Sequence, residues 1–471
     1  MKALVLLNHL SMSPPIAELH AGVANELSDE GHDVTLAACD GSFLPCDHNP
    51  LSSNMICLSC KKTANNLSKE LNIPILWLTK SDFGVDTDEL NKNLEIGVNS
   101  TIASITRSPD EKYLSDFWRK YKINLMNSSI EIYHSLLRVL NIEAFDEIYL
   151  FNGRFAFSAA ALLAAKKSGI DYSVYDQEKN SSFRIFHNTL LHDMEANCKR
   201  AENYYNENPI LANEIALEFI KKKRCGEETY EKSFTSSQKS GDLDVYMQNN
   251  NIKEFVSIFP SSDDEYKYLA GAWKMKIVDQ LESISTIAKN NPLNTFLVRM
   301  HPNMSGMPDK AKDDYYALER YGNIFVIPPA SKISSYEVLD RSDVVIVFCS
   351  TIGVEASFVG KKTLGIGPNP YLSLDIFPVY SDPKKMQLNN VVKYYTNKVS
   401  AITWIYYLYT YSNENKYLSW RDGEILYKGR NFKKGIFLYV LILPSRIYVE
   451  ILKGGLLKVL YGKLASFFNL K

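Results

Sequence analysis

The chain has 471 residues, 45% of them hydrophobic and 23% charged, with modest Gly and Pro, a composition that excludes disordered and fibrous classes. That length exceeds what one hydrophobic core supports and predicts two domains plus an appendage. The net charge of -1 gives no case for nucleic-acid binding, but it is unevenly spread: Val391 to Lys471 carry +9 and the rest of the chain -10. An acidic body with a basic, aromatic tail points to contact with an anionic membrane surface.

The first residues, MKALVLLNHLSMSPP, hold only a short apolar stretch with no small-residue cleavage site behind it. They read as a buried strand rather than a signal peptide. No run reaches the ~18 apolar residues that would span a bilayer. The nearest, Gly435 to Leu452, is broken by Pro444, Arg446 and Glu450. The expectation is a cytoplasmic protein, peripheral on the cytoplasmic face of the inner membrane. Seven cysteines without an export signal do not describe a disulfide framework. Cys39, Cys46, Cys57 and Cys60 cluster, the last two as C-x-x-C, a spacing that suits either a structural zinc or free thiols in loops.

In chain order, Lys2 to Asn8 is an apolar run that fits a strand buried on both faces. Ile16 to Leu27 has helical spacing and is closed by Gly31; His32 to Ala38 is the next strand. This opening is that of a doubly wound α/β domain. Residues 61 to 140 read as mainly helical. Glu147 to Phe151 is a strand ending in Asn152-Gly153-Arg154, Ala156 to Ser168 a helix, and Tyr172 to Tyr175 a strand ending in Asp176-Gln177-Glu178. Leu191 to Lys232 is polar and helical, and the Ser- and Gly-rich stretch from Ser233 to Asp244 reads as a linker.

A second α/β pattern then begins. Strands at Glu254 to Phe259, Thr295 to Met300, Asn323 to Ile327, Asp343 to Phe348 and Lys362 to Ile366 alternate with helical segments, one of them at Gly271 to Lys289. The predicted division is 1–240, 241–385 and a basic, aromatic helical extension over 386–471. In open α/β sheets ligands bind at the carboxyl ends of strands, so the residues just past those ends carry the chemistry. A cleft between the two sheets is the expected active site.

Three such groups in the second half suit phosphate. Ser261 and Ser262, Arg299 with His301, and Ser350 with Thr351 all follow strands of one sheet. A helix starting near Ile352 would add unpaired N–H groups, and Glu355, one turn in, can accept from a sugar or ribose hydroxyl. An imidazolium at His301 would stabilise a departing phosphate. In the first half, Asp176 or Glu178 is the candidate base that takes a proton from an acceptor hydroxyl. Asn152 and Arg154 are candidate acceptor ligands. There is no G-x-x-x-x-G-K-[ST] and no G-x-G-x-x-G behind the first strand, which argues against a P-loop NTPase and a dehydrogenase. The two Asp-x-Asp sequences, Asp86-Thr87-Asp88 and Asp242-Leu243-Asp244, stand in polar helical or linker contexts. The expectation is therefore a reaction with no required metal cofactor.

Phe255 to Pro370, about a quarter of the chain, resembles the C-terminal half of bacterial capsule and lipopolysaccharide biosynthesis transferases. The pieces that carry the resemblance are IFPSSDDE (258–265), VRMHP (298–302), IPPASKISSYEVLDRSDVVIVFCSTIGVEA (327–356) and GKKTLGIG (360–367). The His-Pro and Ser/Thr elements are similar to those of bacterial sialyltransferases and Kdo transferases, which have the GT-B fold of two Rossmann-like domains. That resemblance implies donor-phosphate roles for His301, Ser350 and Thr351. Asp176-Gln177-Glu178 lies where the sialyltransferases carry an acidic base motif ending in Gly, and departs from it by lacking the Gly. Asn152-Gly153-Arg154 and the early cysteines look like features of the same capsule proteins. The resemblance implies transfer of a sugar from a CMP- or NDP-sugar to a polysaccharide or lipid-linked acceptor. Transferases that use CDP-glycerol or CDP-ribitol are similar over the same half and imply polyol-phosphate transfer as an alternative. A non-catalytic scaffold of capsule assembly is a third reading.

Overall fold

A computed structural model describes residues 1–10, 16–80, 87–177, 182–227, 238, 241–262, 266–269, 275–388, 394–421, 424–430, 432, 448–449 and 452. They form two compact units. The first comprises Met1–Thr106, Asp110–Leu191 and Ser412–Lys471, and the second Arg107–Pro109 with His192–Tyr411.

The first unit is built on a six-stranded sheet: β1 (Lys2–Leu7), β2 (Asp33–Cys39), β3 (Ile75–Leu78), β4 (Glu147–Phe151), β5 (Asp171–Gln177) and β6 (Phe183–His187), in the order β3-β2-β1-β4-β5-β6. All neighbours pair in parallel except β5 with β6. Its helices include α1 (Ile16–Asp29), α2 (Asn54–Leu71), α3 (Asp88–Thr106), α4 (Asp116–Ile142) and α5 (Ala156–Ser168). The two-residue period of β1 divides the core. Ala3, Val5 and Leu7 pack with Leu19 and Val23 of α1 and Leu67 of α2, while Leu4 and Leu6 pack with Leu136 of α4 and Ala160 and Ala164 of α5. A sheet covered on both faces explains the unbroken apolar run of β1.

In the second unit, helices α6 (Met194–Glu207), α7 (Pro209–Arg224) and α8 (Asp242–Asn249) precede another six-stranded sheet. Its strands are β7 (Val256–Phe259), β8 (Phe296–Arg299), β9 (Ile324–Ile327), β10 (Val344–Val347), β11 (Thr363–Ile366) and β12 (Val379–Tyr380), in the order β12-β11-β10-β7-β8-β9, all parallel. Between them run α9 (Gln280–Asn290), α10 (Asp309–Tyr316), α11 (Ser335–Arg341) and α12 (Ile352–Phe358); α13 (Lys398–Thr410) closes the unit. Both sheets have the strand order of a Rossmann domain. The expected α/β class with two Rossmann-like units therefore holds.

Several expectations need correction. Strand β3 lies inside the stretch read as helical, and β6 and β12 do not stand out in the sequence. All three are short edge elements whose pattern is set by the neighbour they pair with. The compact units divide at 191/192 and 411/412 rather than at 240 and 385. Helix α7 goes with the second unit because Ala212, Ala216, Phe219 and Ile220 share a core with α13. The aromatic stretch AITWIYY is not a membrane-facing surface. It is helix α13, in which Ala401 to Tyr407 are all buried. The chain then returns to the first unit as a hairpin, β13 (Leu418–Arg421) and β14 (Glu424–Tyr427), with Leu418 seated against Gly22 of α1. Most of the predicted linker and of the tail beyond residue 432 lies outside the described residues. No described helix is long and apolar enough to cross a membrane.

Candidate functional site

In the second unit the chain leaves β7 towards β8 on one side and returns at β10 on the other, so the loops behind β7 and β10 diverge at the sheet's carboxyl edge. A cavity of about 360 Å³ opens there. Ser261, Ser262, Arg299, His301, Ser350, Thr351 and Glu355 all line it. The structure thus brings together every residue predicted to bind the donor, though not all in the predicted role.

Ser261 is part of the frame. Its N–H donates to Gln280 Oε1 at 2.8 Å, Gln280 Nε2–H returns a bond to its carbonyl at 3.0 Å, and its hydroxyl donates to the Cys349 carbonyl at 3.3 Å. The β7 loop is thereby tied to the head of α9 and to the β10 loop. That second loop turns sharply, with Cys349 at φ 47°, a left-handed conformation costly for a side-chain-bearing residue. Tyr371 O–H holds the Ser350 carbonyl at 2.6 Å. A Cβ on Gly353 would come within 2.7 Å of Val347 and 2.9 Å of Phe377, so only glycine lets the first turn of α12 press against the end of β10. Thr351 stands at the N-cap, but its hydroxyl makes no cap hydrogen bond. The helix spans Ile352–Phe358, starting where the sequence placed it.

Arg299 is 1% exposed. Its guanidinium donates through Nη1 to the carbonyls of Met300 (2.9 Å) and Pro328 (2.8 Å), and through Nη2 to that of Ser331 (3.2 Å). It thus fastens the loops behind β8 and β9 rather than reaching out as a ligand clamp. Its Nε has no hydrogen-bond partner, and no described carboxylate pairs with it. Burial lowers its pKa to about 10. The sheet edge therefore carries a buried positive charge that no carboxylate among the described residues neutralises.

His301 accepts a hydrogen bond at Nδ1 from the Asn303 N–H, at 3.2 Å. With its Nδ1 lone pair so used, the neutral ring carries its proton on Nε2. Its pKa falls to about 4, chiefly through burial and further through the charges of Arg299, Lys223 and Arg107. His301 is therefore a neutral imidazole at neutral pH rather than the predicted imidazolium. Glu355 accepts a 2.6 Å hydrogen bond from Tyr336 O–H. Burial and that carboxylate push the Tyr336 phenol far above its ordinary range.

Lys223, Gln238, Tyr266 and Tyr336 also line the cavity. Sequence reasoning missed them. Lys223 belongs to the run KKKR, which reads as a solvated helix end, and Gln238 falls in the polar stretch taken as linker. Only Tyr336 had a local signal, since it sits in a helix capped by Ser334, whose Oγ accepts from the Glu337 N–H at 3.3 Å.

In the first unit, Asn152 and Gly153 turn the chain in consecutive left-handed conformations, φ 63° and 75°. Asn152 Nδ2–H donates to Asp176 Oδ2 at 2.7 Å, and the Gln177 N–H to Asp176 Oδ1 at 2.8 Å. Burial raises the Asp176 pKa, opposed by those two bonds and by the charges of Arg154 and Arg184. The ends of β4 and β5 thus join Asn152, Arg154 and Asp176 in one group. Glu178 lies outside the described residues. Cys39, Cys46, Cys57 and Cys60 share the wall of another cavity. No three His, Cys, Asp or Glu among the described residues are grouped to hold a metal ion, so of the two readings of the four cysteines the structure has them as free thiols.

No protein-family model matches the sequence, and no curated protein matches it. Among solved structures, the chain is similar to the beta Kdo 2,7 transferase KpsC of Thermosulfurimonas dismutans, at 13% identity over 66% of this chain and 89% of that one, with a TM-score of 0.35. It is also similar to UDP-GlcNAc 2-epimerases. That of Neisseria meningitidis bound to UDP-GlcNAc gives 12% identity, 78% and 82% coverage and a TM-score of 0.23. That of Methanocaldococcus jannaschii with UDP-GlcNAc and UDP gives 12% identity, 86% and 98% coverage and a TM-score of 0.29.

Proposed function

We propose that the chain is a glycosyltransferase that moves a sugar from a nucleotide donor to a carbohydrate or lipid-linked acceptor of a cell-surface polysaccharide. The observation that carries this reading is the buried Arg299 charge, paired with no carboxylate among the described residues, beside a cavity at the switch point of a Rossmann-ordered sheet. A buried cation left without a carboxylate is costly unless an anion arrives to meet it. His301 and Lys223 line the same cavity, and Arg107 adds its charge to the field at His301. This is the electrostatics of a phosphate site. The volume falls within the roughly 300–1,000 Å³ of small-ligand pockets.

In the proposed reaction the donor's phosphate lies in this field, with His301 Nε2–H and the hydroxyls of Ser350 and Thr351 as hydrogen-bond donors. Glu355, held by Tyr336, accepts from a sugar or ribose hydroxyl. Asp176 takes the proton from the acceptor hydroxyl. The freed oxygen forms the bond to the anomeric carbon, with inversion. The anomeric C–O bond to phosphate breaks, and its electron pair leaves on the nucleotide. The surrounding cations favour this because charge grows on the phosphate in the transition state.

The test is a panel of CMP-, UDP- and GDP-sugars and CDP-glycerol, with and without EDTA, scored by melting temperature and by nucleotide release in the presence of saccharide acceptors. One nucleotide class should raise the melting temperature, since a ligand that binds only the folded state stabilises it. Its sugar should be transferred, and EDTA should not matter. Release from CDP-glycerol alone would turn the reading to polyol-phosphate transfer. No binding by any member would overturn it.

A further inference from the structure

The first unit has a cavity of about 60 Å³ at the carboxyl end of β1, and its chemistry is opposite to that of the nucleotide site. No described Lys or Arg lines it. Its walls are largely apolar, with Leu7, Phe43, Ile56 and Phe157 among them, and Asn8, His9 and Asp47 supply polar groups.

Two of these polar residues have an acceptor oxygen left over. Asn8 Nδ2–H donates to Ser158 Oγ at 2.8 Å, and the Ser158 hydroxyl in turn donates to the Phe151 carbonyl at 2.9 Å. Ser158 can therefore only accept from Asn8, which fixes the amide orientation and leaves Asn8 Oδ1 with no partner among the described residues. Asp47 Oδ2 accepts the Phe157 N–H at 3.1 Å and faces His9 Nε2 at 3.3 Å, while Asp47 Oδ1 has no partner among the described residues. Each residue is only 5% exposed. A buried acceptor without a donor is costly and calls for an explanation.

The surrounding backbone is held in place around them. His9 adopts φ 60°, strain of the kind that collects at functional sites. His20 Nε2–H donates to the Asn8 carbonyl at 2.9 Å, and Tyr175 O–H supports His20 Nδ1 at 2.5 Å. The opposite wall is a loop fixed by Asn49, which bonds the Ser53 backbone at 2.8 Å and 2.9 Å.

Unfilled acceptors and a carboxylate, with no Lys or Arg among the described lining residues, disfavour phosphate and select a neutral hydroxyl donor. Apolar walls suit the C–H face of a sugar ring. We infer that this cavity binds the hydroxyl-bearing edge of an uncharged sugar, with two of its hydroxyls donating to Asn8 Oδ1 and Asp47 Oδ1. That this sugar is the acceptor rests on the glycosyltransferase reading. Strands β1 and β5 flank β4, so Asp176 lies two strand spacings away, roughly 10 Å, within reach of the next sugar of an oligosaccharide.

The experiment is saturation-transfer NMR on the full chain with methyl galactoside, methyl glucoside and methyl N-acetylglucosaminide, with inorganic phosphate as competitor. Two variants are compared with the wild type. Asp47→Asn alters the acceptor, and Cys57→Phe fills the cavity without touching it. At least one hexoside should bind, phosphate should not compete, and both variants should weaken binding about tenfold or more, Asp47→Asn by about the cost of one hydrogen bond and Cys57→Phe by filling the space the ring needs. UDP and CMP binding should be unchanged in both. Equal hexoside binding in wild type and variants, or no hexoside binding in a protein that turns over a nucleotide-sugar, would overturn the site. Hexoside binding that depends on Asp47 in a protein with no turnover would leave the site standing and remove the transferase reading instead.

Discussion

Arg299 and His301 stand one residue apart at the end of β8 and share one field: the buried guanidinium, unpaired by any described carboxylate, helps to hold the imidazole neutral. In the proposed donor complex the negative charge of the phosphate opposes that effect.

The first prediction concerns this charge. Arg299→Lys keeps it but cannot reach the Met300, Pro328 and Ser331 carbonyls together. It should lower the melting temperature and weaken nucleotide binding by ~10-fold or more, because the loops behind β8 and β9 lose their shared fastening. Arg299→Met should lose both charge and fastening. If Arg299→Met binds nucleotide as wild type does, the charge is not used for binding.

The pH dependence follows from His301. Its pKa is about 4 in the free protein, and an adjacent phosphate raises it. The bound state then takes up a proton that the free state does not. Nucleotide affinity should therefore rise as pH falls from 7 towards the bound-state value. His301→Gln should flatten the profile and cut turnover while leaving the fold intact. Isothermal titration in two buffers of different ionisation heat measures the proton uptake directly.

Tyr336→Phe removes the donor that holds Glu355. The loss leaves one carboxylate oxygen without that partner and should destabilise the fold by about 1–3 kcal/mol. If Glu355 orients a sugar or ribose hydroxyl, KM for the donor rises as well. A change in stability with an unchanged KM would make the pair purely structural.

Asp176→Asn preserves the size of the side chain and can keep the contact with Asn152. As the proposed base, its loss should reduce transfer by ~10²–10⁴-fold with donor binding intact. Full transfer activity in this variant would exclude Asp176 as base.

Acid stability gives a fifth measurement. His20 is fully buried and its pKa is lowered to about 4, mainly by burial. Below the ordinary histidine value of about 6.5 the unfolded chain binds a proton that the folded chain refuses until about 4. Stability should fall across that window by on the order of 3 kcal/mol from this group alone. Asp47, raised to about 6 by burial, acts in the opposite sense as pH falls through 6. Urea unfolding between pH 7 and 4 should show a shallower decline in His20→Gln than in wild type, although the variant starts less stable.

The sequence by itself determined the strands that a sheet buries on both faces. Lys2–Leu7 and Glu147–Phe151 are apolar runs bounded by turn residues, so their place in an α/β sheet follows from composition and length alone. The residues past strand ends in the second half were legible for the same reason: a buried strand must end at the edge where ligands bind. The roles of those residues were not legible. Whether Arg299 reaches a ligand or fastens two loops depends on carbonyls 29 and 32 residues further along the chain. Only the tertiary structure decided that α7 brings Lys223 to the cavity and that the aromatic stretch before residue 411 is a buried helix. It also decided that the loop at Asp47 closes over His9. These contacts join segments far apart in sequence, and local periodicity carries no record of which distant surface an apolar or charged face will meet.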